Sequence, residues 1–238
     1  MKRFLLLILT LLLYTELYAT GTFSTGFLFA VDGQNGAIDK IRNDINHDMR
    51  LTQYSDPSTS INEIDTIYSP SLSINFRYFY DRFMMQLAWE YSTFFFFNEK
   101  GSITPSSGDK NTIELKYSRF TFPFTMAIIL PAWNNSRFFI GGGLNLSFMM
   151  LEVNKSDYAT LTRFPDKKNT YSGYIPGFHF KIGAETTLSR NYSISFEYIK
   201  YMSKNFTVKS DNGNSEIYMG LNSFEIGVGI NYNVNSGI

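Results

Sequence analysis

The sequence predicts an all-β protein, an eight-stranded antiparallel up-and-down transmembrane β-barrel, and three observations lead to this prediction. Apolar residues recur at every second position in eight segments, which is the period of strands that have two unlike faces. Connections between the segments alternate between long and short. Aromatic residues make up 17% of the chain and only 7 of its 238 residues are proline, which favours strands rich in Phe and Tyr.

The chain begins with a segment typical of exported proteins. Lys2 and Arg3 precede an apolar run from Phe4 to Leu13, and a Leu-Tyr-Ala sequence ends at Ala19. This pattern predicts a cleaved signal peptide over residues 1–19, because the apolar run is too short to be a membrane-spanning helix. The remaining residues, 20–238, are predicted to form a single barrel domain.

The composition of the mature chain limits the classes of partner and of fold. There is no cysteine, so neither a disulfide framework nor a lipid anchor on a cysteine is predicted. Without Lys2, Arg3 and Glu16, the balance of 21 basic and 21 acidic residues becomes 19 and 20. A nearly neutral chain gives no electrostatic reason to expect nucleic acid as a partner.

Each predicted strand is about long enough to cross a bilayer at a tilt, which takes roughly 9 to 11 residues. The predicted strands cover residues 22–31, 69–80, 83–94, 113–125, 137–151, 174–188, 192–201 and 224–234. Long loops are expected at about 32–67, 98–112, 152–173 and 203–221, and the other connections are short turns. All long loops therefore lie at one end of the barrel.

The segment SPSLSINFRYFYDRFMMQLAWEYSTF predicts the second and third strands as a hairpin. Its apolar residues lie on even positions before Asp81-Arg82 and on odd positions after it. A two-residue loop at that point brings all of them to one face, because side chains alternate along each strand. The predicted pairs on this face are Tyr80–Phe83, Tyr78–Met85, Phe76–Leu87, Ile74–Trp89 and Leu72–Tyr91.

The fourth strand changes parity without a turn. Ile113, Leu115 and Tyr117 are on odd positions, whereas Phe120 and the apolar residues after it are on even ones. We expect a β-bulge near Ser118-Arg119, because an extra residue would bring both sets to the same face.

Side-chain size predicts which face lies inside. The apolar face carries large residues that an eight-stranded barrel cannot hold in its interior, so it is expected to contact lipid. The other face carries glycine, serine and alanine together with charged residues, which would be costly in contact with lipid. The predicted lumen charge network consists of Arg77, Glu90, Glu114, Lys116, His179, Lys181, Glu185, Glu197 and Glu225. Such a network is interpreted as a salt-bridged plug or, alternatively, as an ion path or gate.

Two adjacent stretches, LKYSRFTFPFTMAIIL and RFFIGGGLNLSFMM, carry a resemblance to a known family. They resemble a strand with a central proline, a short periplasmic turn and a glycine-rich strand in the small eight-stranded outer-membrane barrels of the OmpX, OmpA-transmembrane and opacity-protein type. The resemblance implies export to a Gram-negative outer membrane, contact with the barrel insertion machinery and with lipid and lipopolysaccharide, and a monomer. One departure is the end of the chain, where Tyr232 is followed by NVNSGI instead of a terminal Phe or Trp.

The leading functional hypothesis is a non-enzymatic scaffold that is anchored in the membrane and presents surface loops for interaction or adhesion, with a host or cell-surface ligand. The alternative is a narrow porin or a conduit for hydrophobic solutes. A lipid-modifying enzyme using His179 is less favoured, because no nucleophile and acid accompany this histidine in sequence. No cofactor, metal or catalytic residue is predicted. The first loop is expected to be either a short amphipathic helix, since Ile38, Ile41, Ile45 and Met49 recur at near-helical spacing, or a flexible loop.

Overall fold

The computed structural model describes residues 21–33, 36–65, 68–93, 99–131, 135–156, 164 and 166–234. The predicted signal peptide lies outside the described residues, so its cleavage stays a prediction. Within the described ranges, no helix is both long enough and apolar enough to cross a membrane.

Twelve strands and one helix are found among the described residues. Their bounds are β1 Thr22–Gly33, α1 Gly36–Ser55, β2 Ser60–Asn62, β3 Tyr68–Tyr80, β4 Phe83–Thr93, β5 Glu99–Thr104, β6 Asn111–Pro131, β7 Ser136–Lys155, β8 Lys168–Thr187, β9 Tyr192–Ser203, β10 Phe206–Lys209, β11 Glu216–Met219 and β12 Phe224–Val234.

Eight of these strands close into a ring of antiparallel neighbours. The order is β1, β3, β4, β6, β7, β8, β9 and β12, and β12 pairs with β1. A path that starts at Thr22 and steps from each residue to its paired residue on the next strand goes once round the ring and returns to β1 at Asp32. This stagger tilts the strands and leaves an interior that ordinary side chains can fill. The predicted eight-stranded up-and-down barrel is therefore confirmed.

The hairpin of β3 and β4 has the predicted register, and all five predicted apolar pairs are found. Its loop consists of Asp81 and Arg82 alone, and Asp81 adopts a positive φ of 50°. Tight two-residue turns between twisted strands require such left-handed backbone, which Asp tolerates better than most residues.

Large apolar side chains cover the outside of the ring and form a belt, which we call the lipid belt. Its members include Phe27, Phe29, Phe76, Leu87, Trp89, Phe122, Phe124, Ile140, Leu144, Phe178, Phe180, Phe196, Val228 and Ile230, all of which are exposed. An aqueous solvent would make so large an apolar surface unfavourable, whereas hydrocarbon accepts it. The prediction that the apolar face is the outer one is confirmed.

The predicted β-bulge in β6 is wrong. Pairing between β6 and β7 is continuous from Ile113↔Lys155 to Pro131↔Arg137, and no residue is inserted near Ser118. Ile113, Leu115 and Tyr117 therefore point into the structure and are buried, whereas Phe120 points out. The parity changes because the surroundings of the strand change along its length.

β6, β7 and β8 continue beyond the lipid belt into parts of the predicted long loops, and together they form a wall above one side of the barrel. β5 pairs with the beginning of β6, and β2 pairs with β5, which widens this wall. On the inner side of the wall, apolar residues pack with α1 in a buried cluster that we call the dome. Its members include Ile38, Ile41, Ile45, Met49, Ile103, Ile113, Leu115, Met149, Leu151, Val153, Phe164, Tyr171 and Ile217.

The first loop contains a helix, which is one of the two alternatives that the sequence left open. Its apolar stripe faces the dome, so α1 covers the loop end of the barrel. Asn46 holds the segment around Ile64 against α1. Its side-chain amide donates a hydrogen bond to the carbonyl of Ile64 and accepts one from the backbone N–H of Ile64, both at 2.9 Å.

Candidate functional site

The interior of the barrel receives polar side chains from all eight strands, because alternate residues of each strand point inward. Of the nine residues predicted to form the lumen network, seven are buried inside, as Arg77, Glu90, His179, Lys181, Glu185, Glu197 and Glu225 all lie within the ring. All of them except His179 belong to one of two layers of ion pairs.

The layer nearer the short turns, which we call the lower cluster, consists of Arg77, Lys181, Glu185 and Glu197. The Arg77 guanidinium lies 3.1 Å from the Glu185 carboxylate and also contacts Glu197. Lys181 Nζ lies 2.5 Å from Glu197 and donates a hydrogen bond of 2.7 Å to Gln86. Two basic and two acidic groups are thus paired, which is the arrangement that makes buried charges tolerable.

The layer nearer the loops, the upper cluster, is centred on Arg119 and contains Asp32, Glu90 and Glu225. Arg119 Nη1 lies 2.8 Å from Asp32, and Nη2 lies 2.5 Å from Glu90 and also contacts Glu225. The hydroxyl of Tyr201 donates a further hydrogen bond of 2.5 Å to Glu90. Since these residues come from β1, β4, β6, β9 and β12, one guanidinium joins strands on opposite sides of the lumen.

Apolar layers close the interior at both ends of the two clusters. At the turn end, Phe79, Met84, Ala127 and Phe139 form a small buried group, and Arg137 stacks 3.5 Å from the centre of the Phe79 ring. At the loop end, the dome lies above the upper cluster. The described part of the lumen is therefore filled along its length by side chains.

The prediction that Glu114 and Lys116 face the lumen is wrong. Both point outward from the wall, and the Lys116 side chain is 49% exposed. The bulge expected in β6 would have reversed the facing of residues 113–117, and both side chains would then have pointed inward. The same error concealed Arg119. Asp32 was missed because it was predicted to lie in the first long loop, whereas it is the last inward-facing residue of β1, at the loop end of that strand.

Comparison with known proteins bears on the fold. No protein-family model matches the chain, and no curated protein is significantly similar to it in sequence. Among solved structures, the outer membrane protein OprG from Pseudomonas aeruginosa aligns with 92% of this chain and 98% of its own, at 11% identity and a TM-score of 0.52. Neisserial surface protein A aligns with 89% of this chain and 96% of its own, at 9% identity and a TM-score of 0.49.

Together with the closed ring and the lipid belt, the OprG alignment decides the fold. The chain folds as a small eight-stranded outer-membrane β-barrel. Ail, the attachment invasion locus protein of Yersinia pestis, also aligns with 90% of this chain and 97% of its own, at 9% identity and a TM-score of 0.43. At these identities the likeness extends to the fold alone, so the role of this outer-membrane barrel has to be argued from its own residues.

His179 is buried in this outer-membrane barrel between the two clusters. Its Nε2 lies 2.7 Å from the hydroxyl oxygen of Thr125, while its Nδ1 is buried without a hydrogen-bond partner among the described residues. A hydroxyl beside an imidazole is two thirds of a catalytic triad, but the acid that would orient the ring is not in place here. His47, the other histidine, lies on the exposed face of α1.

Proposed function

We propose that the protein is a membrane-anchored scaffold whose closed barrel holds a folded loop-end structure at the cell surface for interaction or adhesion. The observation that carries the proposal is the filled lumen, in which two ion-pair clusters lie between two apolar layers. A barrel of eight strands has little interior to spare, and these side chains occupy it, which favours an anchor over an aqueous channel.

Ordered structure at the loop end supports the same proposal. α1, β2 and β5 pack with the upper part of the wall, and the β10–β11 hairpin is joined to β8 by the bridge between Tyr171 and Ser210. Binding residues are often carried on loops that a rigid scaffold holds in place. The proposed partners of the protein are a host or cell-surface ligand at the loops, lipid and lipopolysaccharide around the barrel, and the insertion machinery during assembly.

Conductance of the refolded mature chain in a planar bilayer tests this proposal against the narrow pore. A gel shift between boiled and unboiled samples first shows that the barrel is folded. We expect a folded barrel that produces no discrete current steps. Reproducible steps whose ion selectivity changes in Glu197→Gln would overturn the scaffold and favour the pore, because Glu197 lies in the lower cluster.

Attachment to host cells tests the interaction role directly. Bacteria that carry the wild type are compared with bacteria that carry a barrel in which residues 34–67 are replaced by a short Gly-Ser linker. Equal surface amounts are verified by antibody against an epitope tag placed in the β10–β11 hairpin. We expect weaker attachment of the shortened variant, and equal attachment would count against a binding role for the first loop.

A further inference from the structure

The upper cluster contains more acidic than basic groups. Arg119 is its single base, and the carboxyl groups of Asp32, Glu90 and Glu225 all contact this guanidinium. All four side chains are buried. If every carboxyl group were ionised, three negative charges would face one positive charge, whereas the lower cluster balances two acids with two bases. Because an excess of buried charge is costly, buried acids in such a site hold protons instead.

Two of the three acids in the upper cluster lie against each other. Glu90 and Glu225 contact the same nitrogen of Arg119, Nη2, and their carboxyl groups are also joined by a hydrogen bond. An ionised carboxylate can only accept hydrogen bonds, so one of these two groups must carry the proton that joins them. Two carboxyl groups that share a site keep one proton between them, because both cannot be ionised at such close range.

The donors around the pair indicate which of the two groups carries the proton. Glu90 accepts hydrogen bonds from the hydroxyl of Tyr201 and from Arg119, both at 2.5 Å. Glu225 shares that nitrogen of Arg119, and its other donor, the hydroxyl of Ser71, is 3.5 Å away. Hydrogen bonds from donors stabilise the charged form of a carboxyl group, so Glu90 is the better-stabilised anion and Glu225 is the acid.

The surroundings of the pair do not supply enough positive charge to replace the proton. The titratable groups around it are Asp32 on β1, Tyr117 and Arg119 on β6, His179 and Lys181 on β8, and Tyr201 on β9. Among the described residues, β3 and β7 bring only uncharged side chains to this level, such as Ser71 and Ser147. Lys181 is already paired with Glu197, and even an ionised His179 would leave one negative charge in excess.

We propose that Glu90 and Glu225 share one proton at neutral pH, carried by Glu225, and that this acid pair is a pH-sensitive contact between β4 and β12, which are not neighbours in the ring. Glutamates of the unfolded chain lose their protons near pH 4.3. The folded barrel therefore binds one more proton than the unfolded chain at neutral pH, and folding becomes less favourable as the pH rises. The pair does not depend on the scaffold role, because a conducting barrel would hold the same proton.

Two substitutions of the same kind test the proposal. Glu225→Gln replaces the acid with a neutral group of the same shape, which can still donate to Glu90 and accept from Arg119. Glu197→Gln is the matched control, because Glu197 is also fully buried but is paired with both Arg77 and Lys181. Urea titrations of the refolded mature barrel in phospholipid vesicles, at about pH 6, 7 and 8, measure the unfolding equilibrium constant of each protein.

At about pH 7, we expect Glu225→Gln to lower the unfolding equilibrium constant by at least about tenfold, because this variant takes up no proton on folding. Glu197→Gln should raise the constant by at least about tenfold, since it leaves buried bases incompletely paired. From about pH 6 to about pH 8, the constant of the wild type should rise at least about tenfold relative to that of Glu225→Gln. A loss of stability in Glu225→Gln, failure of this variant to fold, or a ratio that does not change with pH would overturn the proposal.

Infrared spectroscopy detects the proton itself. At about pH 7 exposed carboxyl groups are ionised, so the carbonyl stretch of a protonated carboxyl group reports a buried acid. Spectra are recorded on the refolded mature barrel in detergent micelles that contain no ester carbonyl groups. We expect this band in the wild type and a weaker band in Glu225→Gln. A wild-type spectrum without the band would overturn the proposal, because a bound cation instead of a proton would then balance the upper cluster.

Discussion

Arg119 is the residue on which the upper half of the barrel interior depends. Its guanidinium is fully buried and contacts the carboxyl groups of Asp32, Glu90 and Glu225. The guanidinium carbon of Arg119, Cζ, lies 5.1 Å from the centre of the Tyr201 ring. Burial of charges is tolerable only while they stay paired, so removal of the single base would leave three acidic groups without a counter-charge.

The substitution Arg119→Ala is therefore expected to lower the free energy of unfolding by about 3–5 kcal/mol. Urea titration of the barrel in lipid vesicles, followed by tryptophan fluorescence, measures this loss. Arg82→Ala is the matched control, because its side chain is exposed in the hairpin turn and its carbonyl, which accepts from Ile129, is retained. A loss below about 1 kcal/mol in Arg119→Ala would show that the upper cluster is not a stabilising junction.

At the scale of elements, β6 shows what a sequence pattern can and cannot predict. Hairpin register was predictable, because the apolar residues of β3 and β4 meet one solvent along their whole length. One part of β6 lies in the barrel wall beside lipid, and the other part lies beside the dome. Its inward-facing side chains are therefore polar around Arg119 and apolar around Leu115. The local sequence shows only that the apolar residues of β6 change from odd to even positions. A β-bulge and a change in the surroundings of the strand would produce the same pattern.

The position of α1 could not be predicted from its own sequence either. Its apolar spacing indicated an amphipathic helix, but the dome that the apolar stripe joins also contains residues distant in sequence, such as Leu115 and Met149. Likewise, Asp32 and Arg119 meet only because β1 and β6 face each other across the ring. Contacts of this kind depend on the closure of the whole sheet.

The substitution Ile45→Asp tests whether α1 is a stable part of the dome. Ile45 is fully buried, so a charge at this position is expected to cost about 3 kcal/mol and to open the helix roughly a hundredfold more often. Trypsin cleavage at Lys40, Arg42 and Arg50, measured on the barrel in vesicles, reports this opening. We expect the cleavage rate to rise while the gel shift of the barrel persists.

Leu51→Asp provides the control for this experiment, because Leu51 lies on the same helix with 51% of its surface exposed. The same change of chemistry should leave the cleavage rate near that of wild type. If Ile45→Asp and Leu51→Asp were cleaved equally fast, the helix would not be held by the dome.

At the scale of the whole molecule, the protein has two opposite arrangements of polarity stacked on one barrel. Within the lipid belt, charged groups are inside and apolar groups are outside, whereas in the wall and dome the apolar groups are inside and charged residues such as Lys116 and Glu152 are outside. The level at which the arrangement inverts is marked on β6 between Phe120 and Lys116 and on β7 between Met150 and Glu152. This level is where the hydrocarbon of the membrane should end.

An outward charge should therefore be costly below this level and tolerated above it. Val228 lies in the middle of β12 on the outer face, with Phe29 and Phe196 as its cross-strand neighbours. Val228→Arg is expected to lower the free energy of unfolding by about 2–4 kcal/mol, because an arginine near the midplane must leave water for hydrocarbon. Thr170→Arg, on the outer face of β8 opposite Glu152, should cost about 0–1 kcal/mol, since near the interface the side chain reaches the headgroups. Urea titrations in vesicles of one phospholipid measure both values, and equal losses in the two variants would mean that the hydrocarbon boundary is not at the inversion of polarity.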